Sequence, residues 1–463
     1  MQLKRLSNKH FNMNSPKNEE SNSKNNGNGF TKPKNPNSKK FLFVSDESLS
    51  GDLAWQIKKE GNEVKVFIER EADQDVYDGF LEKVSDWKSL TDWADVIVFD
   101  DIGFGDIADS LRAKGKLVVG GSKYTDRLEE DREFGQEEMK KAGLLVLPHW
   151  DFVDFDSAIE FIRENPGRYV FKPSGNTPSD SKGILFLGQE DDGKDLIEIL
   201  EQNKKTWAKK IKKFQLQKMA VGVEVAVGAF FNGEDFIYPI NVNFEHKKLF
   251  PGDIGPYTGE MGTTVFWCPP NELFRNTLFK IRDELTKSGY VGYIDINCIA
   301  NAKGIYPLEF TSRFGYPIIS IQMEGVLSEW GDFLYRIAKG EELELKTKKG
   351  FQIGVCVVVP PFPFDDKRES FIYKDLSILF RKPNLDGVHL GDVKKVNDVW
   401  VIAGDSGYVL VITGSGLTME EARKQCYSRV RNIILQNMYY RTDIGLRWLL
   451  GDSDKLMTWG YLY

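Results

Sequence analysis

The sequence predicts an α/β protein: an amino-terminal doubly wound parallel sheet, a central mixed region and a small carboxy-terminal α+β domain. Three observations carry this. From Phe41 to Gly121, short apolar runs of strand type alternate with amphipathic helical stretches, the pattern of a parallel sheet. Hydrophobic residues make up 41% of the 463 and aromatic residues 13%, ample for several packed domains. Near residue 350 a new series of short strands begins and closes on a single helix.

Residues 1–40 stand apart. They hold nine Lys/Arg and two Asp/Glu, with the low-complexity runs NSKNNGNG (22–29) and KPKNPNSKK (32–40). Nothing there is periodic or apolar enough to be buried, so a disordered tail is expected, with a basic nucleic-acid arm as the alternative. Order begins at FLFV (41–44). LAWQIKKEG (53–61) puts Leu53, Ala54 and Ile57 on one helical face and Gly61 at a C′ stop. Strands follow at VKVFI (64–68), DVIVFD (95–100) and KLVVGG (116–121), with helical DIADSLRAKG (106–115) between the last two. The carboxyl ends of such strands form ligand crevices. The first turn reads SDESLSG (45–51), not GxGxxG, so a dinucleotide fingerprint is excluded.

The region 122–345 mixes longer helices with strands. REFGQEEMKKAG (132–143), SAIEFIRENPG (157–167) and LFRNTLFKIRDELTKSG (273–289) read as helices. YVFKP (169–173), GILFLG (183–188), FQLQKM (214–219), VEVAVGAFF (223–231), DFIYPINV (235–242), YIDINCIA (293–300) and GIYPLEF (304–310) read as strands. Region 346–450 opens on GFQIGVCVVVPPFP (350–363) and ends in TMEEARKQCYSRVRNII (418–434), where Thr418 and Glu421 have capping-box spacing. Residues 451–463 are read as a tail.

Composition excludes several classes. No apolar run approaches the ~18 residues that a membrane span needs. The four cysteines, Cys268, Cys298, Cys356 and Cys426, form no CxxC pair, which disfavours a disulfide scaffold or a Cys-based zinc site and points to a reducing, cytoplasmic compartment. Residues 41–463 hold 53 basic against 67 acidic residues, a poor match for nucleic-acid phosphates.

Four constellations carry chemistry. Lys172 ends a buried strand, where its charge must meet water or an anion, and SGNTPSDSKG (174–183) follows with Lys182 and Gly183. Such a loop folds amides and an ammonium over phosphates, or is an ordinary hairpin. In LQKMAVGVEVAV (216–227), Gln217, Lys218 and Met219 lead through a polar hinge to Glu224; backbone groups there can meet an adenine edge and the carboxylate a ribose, or the segment merely connects two strands. HKKLFPGDIGPYTGEMG (246–262) is a glycine-rich loop suited to small substrates, or a structural loop. Asp295 and Glu309 lie on strands joined by NAKG, which brings them near each other. Two such carboxylates resist ionisation unless a cation joins them, and magnesium takes oxygen ligands and shares them with phosphates. The alternative is a structural pair with Arg313.

Taken in order, these pieces resemble the ATP-grasp superfamily, and within it the phosphoribosylamine–glycine ligase family, over about residues 41–450. GDIGPYTGEMG (252–262) is similar to that family's GDxDTGPNTGGMG loop, and PLEFTSRFGYP (307–317) to its IEFNxRFGDPE segment. GYVLVITGSGLTMEEARKQCY (407–427), YRTDIG (440–445), LAWQI (53–57) and GGSKYTDRLEEDREF (120–134) also fit.

The resemblance implies an amino-terminal α/β domain (41–121), a central ATP-grasp fold (122–345, with 172–230 covering the nucleotide) and a carboxy-terminal domain (346–450). It implies an ATP- and Mg-dependent ligase that joins an amine to a carboxylate through an acyl phosphate, as a monomer or homodimer. Lys172 and Arg313 would be catalytic. Lys172, Lys182, Gly183, Gln217, Lys218, Met219 and Glu224 would bind ATP. Asp253, Gly255, Pro256, Thr258, Gly259, Gly262 and Arg313 would bind substrate. Asp295, Glu309 and Thr311 would hold magnesium. Departures are concentrated in the half that would take phosphoribosylamine: SDESLSGD (45–52) replaces a GSGGREHA-type turn, Tyr257 and Tyr316 replace Asn and Asp, and Glu260 replaces Gly. Thr311 stands for the family's metal-binding Asn. A sibling ligase with another amine and carboxylate, and a catalytically silent nucleotide-binding homologue, remain alternatives.

Overall fold

The computed structural model describes residues 38–174, 184–364 and 366–463. The expected tail 1–40 therefore lies almost wholly outside the described residues, as do Lys182 and Gly183. The first sheet is parallel, in the order Glu82–Lys83, Glu63–Ile68, Lys40–Ser45, Val96–Phe99, Leu117–Val119. Alternate side chains of its central strand enter different cores, so both faces are covered, as parallel sheets require. Phe41 and Phe43 pack with Leu53, Trp330 and Phe333, whereas Leu42 and Val44 pack with Ile97, Phe104 and Leu111. The strand order reverses between Lys40–Ser45 and Val96–Phe99, so the switch-point crevice opens beside Asp46 and Asp100.

A four-stranded antiparallel sheet follows: His149–Phe152, Lys213–Lys218, Tyr169–Ser174, Phe186–Leu187. The helices Phe155–Glu164 and Lys194–Lys210 bury Ile159, Ile162, Leu196 and Leu200 against Phe171 and Phe214. The third sheet has eight antiparallel strands, in the order Gly304–Thr311, Val291–Asn301, Val223–Asn232, Phe236–Glu245, Gly262–Cys268, Phe351–Val358, Tyr408–Gly416, Val388–Leu390. The carboxy-terminal α+β segment thus extends the central sheet across residue 346. Its helix Met419–Val430 starts at a Thr418–Glu421 capping box.

Two expectations are corrected. The helix expected over 273–289 is broken into Glu272–Asn276, a 3₁₀ turn at Leu278–Ile281, and Arg282–Ser288. Thr277 leaves helical geometry (φ −130°, ψ −94°), and its hydroxyl bonds back to the Leu273 carbonyl. Residues 451–463 are not a tail: Ser453–Thr458 is helical, Leu456 is fully buried and Leu462 nearly so, and the Tyr461 hydroxyl donates to the Asn301 carbonyl at 2.8 Å. Leu456→Ala is expected to lower stability by about 2–4 kcal/mol, the usual effect of truncating a buried leucine, read as a shift in the urea midpoint.

Candidate active site

The strand Tyr169–Ser174 carries Lys172 into the space between the two antiparallel sheets. Its ammonium donates to Gln217 Oε1 at 2.6 Å. Burial, then the neighbouring Arg132 guanidinium, push Lys172 down to about 8, while Glu309 pulls the other way. Arg132 is fixed by donation to the Pro173 carbonyl at 3.0 Å. Two cations therefore act on Glu309, Lys172 from the smaller sheet and Arg132 from the start of the helix Arg132–Lys141.

At the expected hinge, Gln217 is buried and its side-chain oxygen accepts from Lys172. The Lys218 amide donates to Pro148 O and the Met219 amide to Arg168 O, so both are used inside the protein. The Lys218 ammonium lies 4.8 Å from the Tyr169 ring centroid. Glu224 turns instead toward a carboxylate cluster on the eight-stranded sheet.

At the centre of that cluster is Lys247, which no sequence motif singles out. Its Nζ lies 2.9 Å from Glu309, 3.6 Å from Glu245 and 3.6 Å from Glu224. Burial works against its charge, yet the three carboxylates outweigh burial and hold it protonated. Lys247 in turn holds Glu309 down to about 2, aided by Lys172 and Arg132. Glu245 is oriented by Asn297 Nδ2 at 2.7 Å.

Asp295 and Glu309 do not form the expected adjacent pair. The bulge between Asn297 and Cys298 sets Asn297 opposite Glu309 and Asp295 opposite Thr311. Asp295 is buried and raised well above the usual carboxylate range by burial, then by Glu245 and Glu129. Arg313 lies 3.2 Å from Glu129 and 3.6 Å from Asp101, so its charge is already matched by acids on the amino-terminal side. Among the described residues no group of three or more His, Cys, Asp or Glu is arranged to hold a metal by itself. The donors nonetheless fit magnesium: Glu309 is ionised and 60% exposed, and oxygens of Glu245 and Asn297 lie on the same face. A hard cation with few protein ligands completes its shell with phosphate and water.

The glycine-rich loop is held by a buried cation. Arg441 is fully buried and bonds Asp253 Oδ1 at 2.8 Å, both carboxylate oxygens of Asp443, and the Lys248 carbonyl at 2.8 Å. Asp253 (φ +55°) thus anchors the turn. Lys248 donates to Gly255 O at 3.1 Å. Pro256 lies on the short strand Ile254–Tyr257, half-buried. The Thr258 amide and hydroxyl both donate to Lys247 O, at 2.8 and 2.9 Å, which orients Lys247. Gly259 borders open space. Gly262 (φ +147°) is a packing requirement, since a Cβ there would stand 2.5 Å from Gly354 O. Glu260 is buried and its Oε1 has no hydrogen-bond partner.

Across the cleft, the switch-point crevice is lined with acids. The Ser50 amide and hydroxyl donate to Asp100 Oδ2 at 2.8 and 2.6 Å, and the Gly51 amide donates to the Tyr77 hydroxyl at 3.2 Å. The N-cap and first amides of the helix Gly51–Lys59 are thereby used within the protein. Burial pushes Asp101 up to about 7, against Arg313 and helped by Asp100 and Glu47; burial and then Asp73 push Asp392 up to about 8, against Ser406 and Arg70. Both would be ionised in the unfolded chain above about pH 5. Folding therefore takes up protons between about pH 7 and 8, and stability falls as pH rises through that window. Glu309, at about 2, and His246, at about 4, are essentially unprotonated in the folded state there. Lys172, at about 8, opposes the trend only at the upper end. The thermal midpoint is expected to be lower at pH 8 than at pH 7 at one ionic strength; a rising midpoint would contradict this account.

Comparisons with known proteins agree with this architecture. Residues 130–318 match the phosphoribosylglycinamide synthetase ATP-grasp (A) domain. The phosphoribosylamine–glycine ligase of Streptococcus pneumoniae is 26% identical over 430 residues, covering 88% of this chain and 99% of that protein. That of Clostridium acetobutylicum is 26% identical over 348 residues, covering 73% and 81%. The crystal structure of phosphoribosylamine–glycine ligase from Thermotoga maritima superposes with a TM-score of 0.65 at 22% identity, over 88% of this chain and all of that one (100%). The biotin carboxylase domain of 2-oxoglutarate carboxylase from Hydrogenobacter thermophilus, in complex with MgADP, ADP and bicarbonate, superposes with a TM-score of 0.59 at 15% identity, over 91% and 95%. The chain has the ATP-grasp fold and, along most of its length, resembles phosphoribosylamine–glycine ligase.

Proposed function

We propose that this chain is an ATP-dependent carboxylate–amine ligase acting through an acyl phosphate. The observation that carries the reading is the meeting of Lys172, Arg132 and Lys247 around Glu309, between the two antiparallel sheets. Phosphoryl transfer needs positive charge on phosphate oxygens and a fixed geometry more than it needs covalent chemistry. Lys172, preset by Gln217, and Arg132, preset by Pro173 O, bind those oxygens, with Lys182 as a further candidate. A carboxylate oxygen attacks the γ-phosphorus, forming an O–P bond as the bond to ADP breaks. The amine nitrogen then attacks the acyl carbon; the C–N bond forms, phosphate leaves, and the amine's proton passes to phosphate or water.

Magnesium, held by Glu309 with Glu245, Asn297 and Thr311 as neighbouring oxygen donors, would neutralise phosphate charge during that transfer. Lys247 holds Glu309 ionised, as a ligand to such a cation would need to be. Thr258, by fixing Lys247, positions that ammonium. Arg313 links this site to the amino-terminal crevice through Glu129 and Asp101. The substrates are a small amine and a carboxylate, as the names of the relatives indicate for those proteins. We place the chain in the cytoplasm, as a monomer or homodimer; no helix among the described residues is long and apolar enough to cross a membrane.

A catalytically silent nucleotide-binding role is the second reading, favoured by Lys247 standing inside the carboxylate set and by Thr311. The deciding measurement is ADP release with ATP and magnesium, supplying glycine with freshly generated phosphoribosylamine and then a panel of other acids and amines. Release that requires both an acid and an amine supports a ligase. ATP binding with no release for any pair favours the silent role.

A further inference from the structure

Resting on the ligase reading, we propose that Arg447 is a positioning residue of the reaction site. It braces the two strands that carry Glu224 and Glu245, and so holds the carboxylates around Lys247. The two glutamates stand where their strands part. The ladder between Val223–Asn232 and Phe236–Glu245 ends at the pair Ala226–Asn243. The same register, continued one step, sets Glu224 opposite Glu245. Each is paired on its outer side, Glu224 with Ile299 and Glu245 with Thr263. Arg447 spans the inner side. Its Nη2 donates to the Glu224 carbonyl at 2.9 Å and its Nη1 to the Glu245 carbonyl at 3.1 Å. A guanidinium presents its donors as a rigid planar fork, so one side chain can join two strands where a point charge could not.

The brace is itself fixed from behind. Arg447 Nε donates to Asp452 Oδ2 at 3.1 Å, and the Lys455 ammonium lies 3.3 Å from Asp452 Oδ1. The wide turn Trp448–Asp452 returns Asp452 to Arg447 through Gly451, whose φ of +110° suits glycine. Trp448 packs on Phe244, Phe266 and Phe351, with ring centroids 5.5, 5.3 and 5.0 Å away. Phe244 immediately precedes Glu245 in its strand. Leu456 and Leu462 seat the rest of the segment in the central core. The carboxy-terminal segment thus has a task besides covering apolar surface: it places one guanidinium.

Placement matters here because the cluster is built from charges. Lys247 Nζ lies 3.6 Å from Glu224, 3.6 Å from Glu245 and 2.9 Å from Glu309. Coulomb energy falls with distance, so a splay of about an ångström between the two strands redistributes the field that holds Glu309 ionised. The Glu245 side chain is held by Asn297 and its backbone by Arg447, which leaves it one position. The charge of Arg447 is matched by Asp452, so its part is geometric. It acts through the backbones of Glu224 and Glu245 and not on a substrate.

The test compares the full-length chain with Arg447→Met, Arg447→Lys and Asp452→Asn, by ADP release and by amide hydrogen exchange. Arg447→Met is expected to lower kcat by about 10–100-fold, the effect of an ångström-scale misplacement, and to change the KM for ATP by less than about threefold. The KM is spared because Lys172 and Arg132 stand on other elements. Exchange should quicken in segments 223–226 and 243–248 and stay unchanged in 64–68 and 169–173. Arg447→Lys keeps the charge without the fork and should recover part of kcat. Asp452→Asn should give a smaller loss, with faster exchange in the same two segments; it carries the test if Arg447→Met does not fold. Activity is taken per folded molecule, from the urea midpoint of each variant. A loss explained by unfolding alone, wild-type kcat in the variants, or a rise in exchange spread over the whole chain overturns the proposal. A wild-type chain that releases no ADP with any acid–amine pair removes the ligase reading. The brace is then decided by exchange, and unchanged protection of 223–226 and 243–248 in the variants removes it too.

Discussion

Replacing Lys172 by alanine is expected to lower ATP-dependent ADP release by about 10²–10³-fold, the usual loss when one preorganised donor to a developing charge is removed. The effect should fall on turnover as well as on apparent ATP affinity, because in the proposed reaction the ammonium would contact oxygens whose charge redistributes in the transition state. Gln217 makes the group a preset one, so Gln217→Leu should reproduce part of the loss by freeing Lys172 to wander. The free protein holds Lys172 at about 8, so the alkaline limb of kcat/KM should begin near that pH, since the ammonium and not the amine binds phosphate. Full turnover in Lys172→Ala would move the nucleotide site elsewhere.

Lys247→Met is the second large effect, and it is expected in stability before activity. The change leaves Glu224, Glu245 and Glu309 facing one another with no cation between them. Breaking a fully buried ion pair costs about 3–5 kcal/mol; Glu309 is 60% exposed, so on the order of 2 kcal/mol is expected here. Magnesium should restore much of that loss, because a cation that binds only the folded carboxylate set stabilises by mass action. The thermal midpoint of the variant, with and without magnesium, reads this directly. A variant as stable as wild type without magnesium would mean that the carboxylates do not depend on Lys247. One insensitive to magnesium would remove Glu309 from the metal assignment.

Much of the scaffold was written locally. Alternating apolar runs marked the parallel sheet, and the Thr418–Glu421 spacing marked a helix start that the structure reproduces as a capping box. NAKG between two apolar runs marked the hairpin of Val291–Asn301 with Gly304–Thr311. These signals depend on side-chain period, caps and turn residues, each a property of a few neighbouring positions.

The partners inside the site had no such local mark. One bulge at Asn297 decides which residue stands opposite Glu309, and alternation alone does not reveal it. Asp253 looked available in a loop, yet its partner Arg441 comes 188 residues later. Ser48 and Asp392 meet across 344 residues. The run EHKK (245–248) contained the signal for Lys247, but its meaning required Glu224 and Glu309 from two other strands. Residues 451–463 read as a tail in the sequence, and only the apolar cleft that receives Leu456 and Leu462 shows why they fold. The order of elements and the stock of reactive side chains were therefore legible from the chain, because period and capping act over a few residues. Which charge faces which was decided by strand register and long-range packing, because electrostatic energy depends on distances in space.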